Sequence, residues 1–80
     1  MTDQEVFTRL TSILRDLLGN DSIILTPQTT RPVVPGWDSL NYVNFIVAVE
    51  IEFGIKFHLA DVESFATVGD IVKQVQVLEG

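Results

Sequence analysis

The sequence of 80 residues lacks cysteine altogether and has a single histidine, His58. Without cysteine there is no disulfide framework, no thiol nucleophile and no cysteine-ligated zinc or iron–sulfur centre. One histidine is too few for a histidine-rich metal site, and we expect His58 to be a partly exposed packing residue rather than a catalytic base. The sequence also lacks a glycine-rich phosphate loop, an EF-hand loop and a serine–histidine–acid arrangement. We therefore expect neither an enzyme nor a resident metal.

Long apolar runs and basic side chains are both scarce. No run approaches the ~20 residues that span a membrane, so membrane insertion is not expected. Five Lys and Arg stand against eleven Asp and Glu, and the formal net charge is −6. A chain of this charge repels nucleic acid and attracts basic protein surfaces. The segment Met1–Glu5 is too polar and acidic for a signal peptide, which indicates a cytoplasmic protein.

The composition that remains is that of one small globular domain. Hydrophobic residues make up 46% of the chain and charged residues 20%. We expect a single domain over residues 1–80, and we expect it to be monomeric. A core of this size leaves little room for a deep, water-excluding active site.

Capping signals and apolar spacing predict a first helix over about residues 3–18. Thr2 and Glu5 have the spacing of a capping box, in which each side chain binds a backbone N–H of the first turn. Apolar residues then recur at helical spacing, at Val6, Leu10, Ile13, Leu14 and Leu17. Gly19 and Asn20 tolerate the left-handed conformation that ends helices.

A long connection follows over residues 19–37, in which three prolines prevent a further helix. Loops of this length in small domains generally pack on the body or serve a function. We expect this loop to be packed down through its apolar residues, which are Ile23, Leu25, Val33 and Trp37. The segment Ile23–Leu25 has the composition of a short strand, but the sequence offers no second strand to pair with it.

Two further main helices are predicted, with a short segment between them. Asp38 is placed to cap a second helix from Ser39 to about Phe53, which Gly54 ends. A short turn or helix around Leu59–Glu63 comes next. Thr67 and Asp70 have capping-box spacing at the start of the last helix. The predicted fold is therefore all-α, a small bundle of three to four helices with a long first loop.

The second helix has two apolar faces. At 100° per residue, with the first residue at zero, one face covers an arc of roughly 240–340°. It consists of Tyr42, Phe45, Ile46, Val49 and Phe53. The other face, which we call the outer stripe, lies at roughly 40–120°. It consists of Leu40, Val43, Val47 and Ile51.

A bundle this small cannot bury such a helix on all sides. We therefore assign the first face to the core, and we expect the outer stripe to be exposed for a partner. The core that we predict comprises Leu10, Leu14, Phe45, Val49, Phe53, Ile71 and Val75.

The segment Gly36–Leu40 resembles the modification motif of the acyl carrier protein family, in which Asp-Ser-Leu opens the second helix. Three more landmarks of that family occur in matching order and spacing. They are Leu25–Pro27 in the first loop, Val49–Ile55 at the end of the second helix and Thr67–Asp70 at the start of the last helix. Asp-Ser-Leu alone is a weak signal, but four landmarks across nearly the whole chain are a strong one. On this resemblance the sequence is identified as a stand-alone acyl carrier protein.

The resemblance implies a covalent cofactor and a carrier function. In the family, the motif serine bears 4′-phosphopantetheine, which a separate transferase attaches from coenzyme A, and the thiol of this arm holds an acyl group as a thioester. Carried over to this sequence, Ser39 is the attachment site. The motif aspartate is Asp38, which caps the helix and in the family also helps to hold the magnesium that the transferase uses. The implied partners are the phosphopantetheinyl transferase and the enzymes that load and transfer acyl groups in fatty-acid, polyketide or related biosynthesis.

The second helix departs from the family in its charge. The family's enzymes recognise this helix through basic patches, yet three positions that are usually acidic hold Asn41, Asn44 and Ile51 here. Glu50 and Glu52 are the acidic residues that remain on the helix. We therefore expect a specialised set of partners, which would recognise the outer stripe together with Glu50.

Two alternatives stay open. The chain is a candidate carrier of aminoacyl or peptidyl groups, although the form Trp37–Leu40 suits acyl carriers better. It is also a candidate adaptor that is never modified and binds a partner through the outer stripe. Acceptance of phosphopantetheine from coenzyme A separates both kinds of carrier from the adaptor.

Overall fold

Helices and their connections account for all of the chain that the computed structural model describes, which is residues 1–79. The helices are α1 (Asp3–Leu18), α2 (Ser39–Phe53), α3 (Leu59–Ser64) and α4 (Val68–Glu79), and a 3₁₀ turn at Arg31–Val33 lies between α1 and α2. No strand occurs within residues 1–79, so Ile23–Leu25 belong to the loop. The predicted all-α bundle with a long first loop is confirmed.

The predicted caps begin and end the first helix. Thr2 Oγ1 accepts a hydrogen bond from the Glu5 amide at 3.1 Å, and Glu5 Oε1 accepts one from the Thr2 amide at 3.0 Å. The bond from the Thr2 amide holds the pKa of Glu5 below its ordinary value. At the other end, Gly19 adopts the left-handed conformation with φ of 63°, which glycine reaches without a Cβ clash.

The core lies along α1, on which both α2 and α4 pack. Six of the seven predicted core residues are buried, the exception being Phe53. The side chains that are buried almost completely are Val6, Leu10, Leu14, Phe45, Val49, Val68, Ile71 and Val75. They come from α1, α2 and α4, so the apolar faces predicted for these helices meet in one cluster.

The long first loop is attached to the start of α4. The Val68 amide donates to the Thr29 carbonyl at 3.0 Å, and the Gly69 amide donates to the Pro27 carbonyl at 2.9 Å. A Cβ at Gly69 would stand 2.9 Å from the same Pro27 oxygen, so only glycine permits this approach. Two of the four sequence landmarks, Leu25–Pro27 and Thr67–Asp70, therefore bind each other.

Two predicted packing residues lie elsewhere than expected. Val33 is exposed, and its neighbour Val34 is buried in its place, because the 3₁₀ turn at Arg31–Val33 rotates Val33 outwards. Phe53 is only half-buried, since it is the last residue of α2 and packs at the edge of the core. The Arg9 guanidinium covers its ring at 5.7 Å from the centroid. Ile23, Leu25 and Trp37 are buried as predicted.

Candidate functional site

Ser39 is the first residue of α2, and its side chain is exposed. The residue before it, Asp38, is extended and caps the helix, since its Oδ1 accepts a hydrogen bond from the Asn41 amide at 2.9 Å. Within residues 1–79 the hydroxyl of Ser39 makes no hydrogen bond, and neither do the amides of Ser39 and Leu40. The site therefore combines an accessible hydroxyl with backbone donors at the positive end of a helix.

Asn41 fastens the loop before Ser39 to the helix. Its side-chain amide donates to the Gly36 carbonyl at 2.9 Å. Gly36 itself has φ of 86°, in the region that glycine adopts without strain. A carboxylate at position 41 has no proton to donate to this carbonyl, which gives a structural reason for an amide here.

Trp37 anchors the end of the first loop to the core. Its side chain is 4% exposed, and its ring meets the Phe45 ring edge-on, with centroids 5.2 Å apart. Such aromatic pairs add specific geometry to the burial of a large apolar surface. The exposed Asp38 and Ser39 therefore lie between two fixed points. Trp37 packs in the core before them, and Asn41 binds the Gly36 carbonyl after them.

Arg31 and Tyr42 form a second link between the loop and the helices. The Arg31 guanidinium lies 4.2 Å from the centroid of the Tyr42 ring, a cation–π contact. The Tyr42 hydroxyl donates to the Val62 carbonyl of α3 at 2.6 Å, and burial raises the pKa of this hydroxyl. Sequence reasoning missed Arg31, because nothing in the pattern of a proline-rich loop indicates which ring a cation will cover.

The outer stripe is exposed as predicted. The exposed fractions are 71% for Leu40, 55% for Val43, 47% for Val47 and 77% for Ile51. At its far end the stripe borders a groove of about 420 Å³ between α1 and α2. The groove is lined by Ile13, Asp16, Leu17, Ala48, Ile51 and Glu52.

The two glutamates of α2 are engaged within the chain. Glu50 is half-buried, and its Oε2 accepts a hydrogen bond from the Phe57 amide at 2.8 Å, which holds the turn after α2. Glu52 pairs with Arg9 at 3.3 Å on the surface. The face of α2 beside Ser39 thus presents mainly apolar and amide side chains to solvent, since Asn44 is exposed as well.

The comparisons with known proteins decide the family. The sequence matches the family described as "Phosphopantetheine attachment site" over residues 8–75, a span that includes Ser39. The chain belongs to this family. It is 37% identical over 73 residues to the acyl carrier protein of Thermotoga maritima, which covers 91% of this chain and 90% of that protein. The solution NMR structure of holo acyl carrier protein from Geobacter metallireducens matches with a TM-score of 0.85 at 36% identity, over 91% of this chain and 84% of that one.

Membership of the phosphopantetheine attachment family confirms the main functional predictions. The cofactor is 4′-phosphopantetheine, held covalently, and the function is that of an acyl carrier protein rather than of an enzyme. Carriers of this family act through partner enzymes. The exposed hydroxyl and the unpaired first-turn amides at Ser39 fit a phosphodiester, because such donors bind phosphate oxygens.

Other candidate residues and features have no place at this site. His58 is exposed, and its amide donates to Asp61 Oδ2 at 3.3 Å at the start of α3, so it belongs to a helix start. Among residues 1–79 no group of three or more His, Cys, Asp or Glu side chains is placed to hold a metal ion. None of the helices described is both long and apolar enough to cross a membrane.

Proposed function

We propose that Ser39 bears the 4′-phosphopantetheine arm. The observation that carries this proposal is the position of an exposed, unbonded serine hydroxyl at the first residue of α2, in the Asp-Ser-Leu motif of a phosphopantetheine attachment domain. Transfer from coenzyme A makes a bond between Ser39 Oγ and the phosphorus of the pantetheine phosphate. It breaks the bond from that phosphorus to the rest of coenzyme A, which leaves as adenosine 3′,5′-bisphosphate, and the hydroxyl proton goes to solvent or to the transferase.

Asp38 serves this reaction in two ways. One carboxylate oxygen, Oδ1, caps α2 through the Asn41 amide and so fixes the residue beside the reacting serine. The other oxygen, Oδ2, accepts no hydrogen bond within residues 1–79, which leaves it for the magnesium that the transferase uses. Carboxylate oxygens are the ligands that magnesium prefers.

The cargo is an acyl group, held as a thioester on the arm and presented to several enzymes in turn. The relatives that support this proposal are named as acyl carrier proteins. We place the chain in fatty-acid, polyketide or related biosynthesis. It acts as one domain and as a monomer in the cytoplasm, where coenzyme A and the transferase meet it, and its net charge of −6 excludes nucleic acid as a partner.

Partner enzymes dock on the outer stripe. Four large apolar side chains in one row on a helix are more than a monomer ordinarily exposes without a use, and the row begins at Leu40, next to the attachment serine. Glu50 borders the row, but its Oε2 already accepts a hydrogen bond from the Phe57 amide. The charge of Glu52 is offset by its ion pair with Arg9. Recognition along α2 is therefore mainly apolar.

Mass measurement of variants tests the attachment. The unmodified full-length chain is incubated with coenzyme A, magnesium and a broad-range phosphopantetheinyl transferase, and the intact mass is recorded. We expect the wild type and the control Ser12→Ala, an exposed serine on α1, to gain one phosphopantetheinyl group, and Ser39→Ala to gain none. Modification of Ser39→Ala would show that the site is wrong, and a wild type that stays unmodified would favour the adaptor.

A further inference from the structure

One polar atom of the core is left without a partner. Among the buried side-chain nitrogen and oxygen atoms of residues 1–79, Nε1 of Trp37 is the one that makes no hydrogen bond. The neighbouring polar aromatic behaves differently, since the Tyr42 hydroxyl donates to the Val62 carbonyl at 2.6 Å. A buried donor without an acceptor has given up its hydrogen bonds to water and gained nothing in return. The indole N–H is therefore a feature that the fold alone does not account for.

The packing role of Trp37 does not require this N–H. The contacts of its ring are apolar, an edge-on contact with Phe45 at 5.2 Å and a tilted one with Tyr42 at 6.3 Å. Phenylalanine at this position would supply an aromatic ring for the same cluster without burying an unpaired donor. Besides its larger ring, tryptophan adds a hydrogen-bond donor inside the core at position 37.

The position of this donor relates it to the arm. Trp37 precedes Ser39 by two residues, so any group tethered to Ser39 is held close to the indole at a high effective concentration. The segment that leads into Trp37 is a loop, which is closed here by single turn bonds. They run from Val34 to the Arg31 carbonyl at 3.0 Å and from Trp37 to the Val34 carbonyl at 3.2 Å. Such a loop opens locally with less disruption than a helix, whose bonds form a continuous ladder.

We propose that the indole N–H of Trp37 donates a hydrogen bond to an oxygen of the acyl group that the arm carries. The proposal rests on the attachment of the arm to Ser39 and deepens it by naming the cargo chemistry that the core recognises. An unsubstituted hydrocarbon has no use for a buried donor, whereas an acyl group has an acceptor in its thioester carbonyl, and a 3-oxo chain has a second one. The acyl group thus supplies the acceptor that residues 1–79 lack.

NMR of the full chain tests this directly, because a single tryptophan gives a single indole N–H resonance. The ¹⁵N-labelled protein is prepared with the arm ending in a free thiol, with a hexanoyl thioester and with a 3-oxohexanoyl thioester, and the intact mass verifies each loading. We expect the indole proton to move downfield, and to exchange more slowly with solvent, in the acylated forms but not in the free-thiol form. Movement in both acylated forms identifies the thioester carbonyl as the acceptor, and movement in the 3-oxo form alone identifies the chain oxygen.

Three results would overturn the proposal. An indole resonance that is the same in all three forms shows that the acyl group does not reach Trp37. A shift already present in the free-thiol form assigns the acceptor to the arm instead of the acyl group. A mass that shows no loading contradicts the attachment, and the proposal fails with it. The control variant Trp37→Phe should load equally well by mass, while acylation should raise its melting temperature less than it raises that of the wild type.

Discussion

Asp70 shows what a single side chain does for the start of α4. Its Oδ2 accepts hydrogen bonds from the amides of Ala66 at 2.9 Å and Thr67 at 3.1 Å, and Thr67 Oγ1 accepts one from the Asp70 amide at 3.3 Å. The first two bonds favour the charged form and hold the pKa of the carboxyl below its ordinary value. The capping box predicted from the spacing of Thr67 and Asp70 is therefore confirmed.

The first prediction follows from this cap. Asp70→Asn should lower the free energy of unfolding at pH 7 by at most about 1 kcal/mol, because a neutral amide oxygen still accepts these hydrogen bonds but binds more weakly than a carboxylate. Because the pKa of Asp70 is lower in the folded chain, its carboxylate stabilises the fold above its ordinary pKa, and this contribution is lost as the pH falls through the folded value. Urea unfolding of wild type and variant from pH 7 to pH 2 should therefore converge at the acid end.

A matched control separates the cap from loss of charge. Asp21→Asn removes an exposed carboxylate in the first loop and should change the urea midpoint little. If Asp70→Asn and Asp21→Asn behave alike across the pH range, the charge of Asp70 adds nothing to its hydrogen bonds with Ala66 and Thr67. The prediction that ionisation of Asp70 stabilises the start of α4 would then be wrong.

At the scale of one element, the two faces of α2 have different tasks. The inner face holds Phe45, which is fully buried, while Phe53 lies at the helix end and is half-buried under Arg9. The arc on the helical wheel predicted both side chains as core, and it was right for Phe45 and wrong for Phe53. The wheel gives only an angle about the axis, whereas burial also depends on the position along it.

The second prediction uses this contrast. Phe45→Ala should cost about 3–5 kcal/mol of unfolding free energy, because it leaves a cavity at the centre of the core. Phe53→Ala should cost clearly less, since solvent already reaches its ring and can fill the space left. Urea denaturation of both variants measures the difference. Equal losses, or a larger one for Phe53→Ala, would place the centre of the core elsewhere on α2.

The third prediction concerns the outer face of α2. A buried Val or Ile side chain contributes about 1.5–3 kcal/mol, whereas an exposed ion pair contributes about 0–1 kcal/mol and is screened by salt. Affinity for the phosphopantetheinyl transferase should therefore fall more in Val47→Ala and Ile51→Ala than in Glu52→Gln. It should weaken only mildly as salt is added. Titration calorimetry at low and high ionic strength provides both comparisons.

The control for this experiment is Ile24→Ala, which removes a side chain that is also highly exposed but lies in the first loop. It should leave the affinity for the transferase unchanged. A steep loss of affinity with salt, together with indifference to Val47→Ala and Ile51→Ala, would show that the chain docks by charge. The outer stripe would then have no part in recognition.

At the scale of the whole molecule, local signals in the sequence predicted the helices well. The start of α1 at Thr2, the start of α2 at Asp38 and its end at Gly54 were all predicted from capping chemistry, which acts over only a few residues. The exposure of the outer stripe followed from helical geometry together with the small size of the bundle. These predictions do not depend on knowing which helices pack against each other.

The features that the sequence did not reveal depend on how the loops turn and pack in the folded chain, which capping signals and helical spacing do not specify. Val34 is buried where we predicted Val33, because a 3₁₀ turn at Arg31–Val33 sets which side chain faces the core. The order of apolar residues in a loop does not predict such a turn. The bond from the Phe57 amide to Glu50 and the contact of Arg31 with Tyr42 join residues whose proximity only the folded chain creates. The same holds for the candidate site, where the motif indicated Ser39 but not the unpaired indole of Trp37.

The most direct test of the central claim is a mass spectrum of the protein as its own cells make it. The chain is purified without added coenzyme A or transferase, its intact mass is recorded, and fragmentation locates the modified residue. We expect an added phosphopantetheinyl group on Ser39 and, in part of the sample, a further acyl mass that thioester cleavage removes. A chain that carries no phosphopantetheine in cells with an active transferase, or carries it on a residue other than Ser39, would contradict the account.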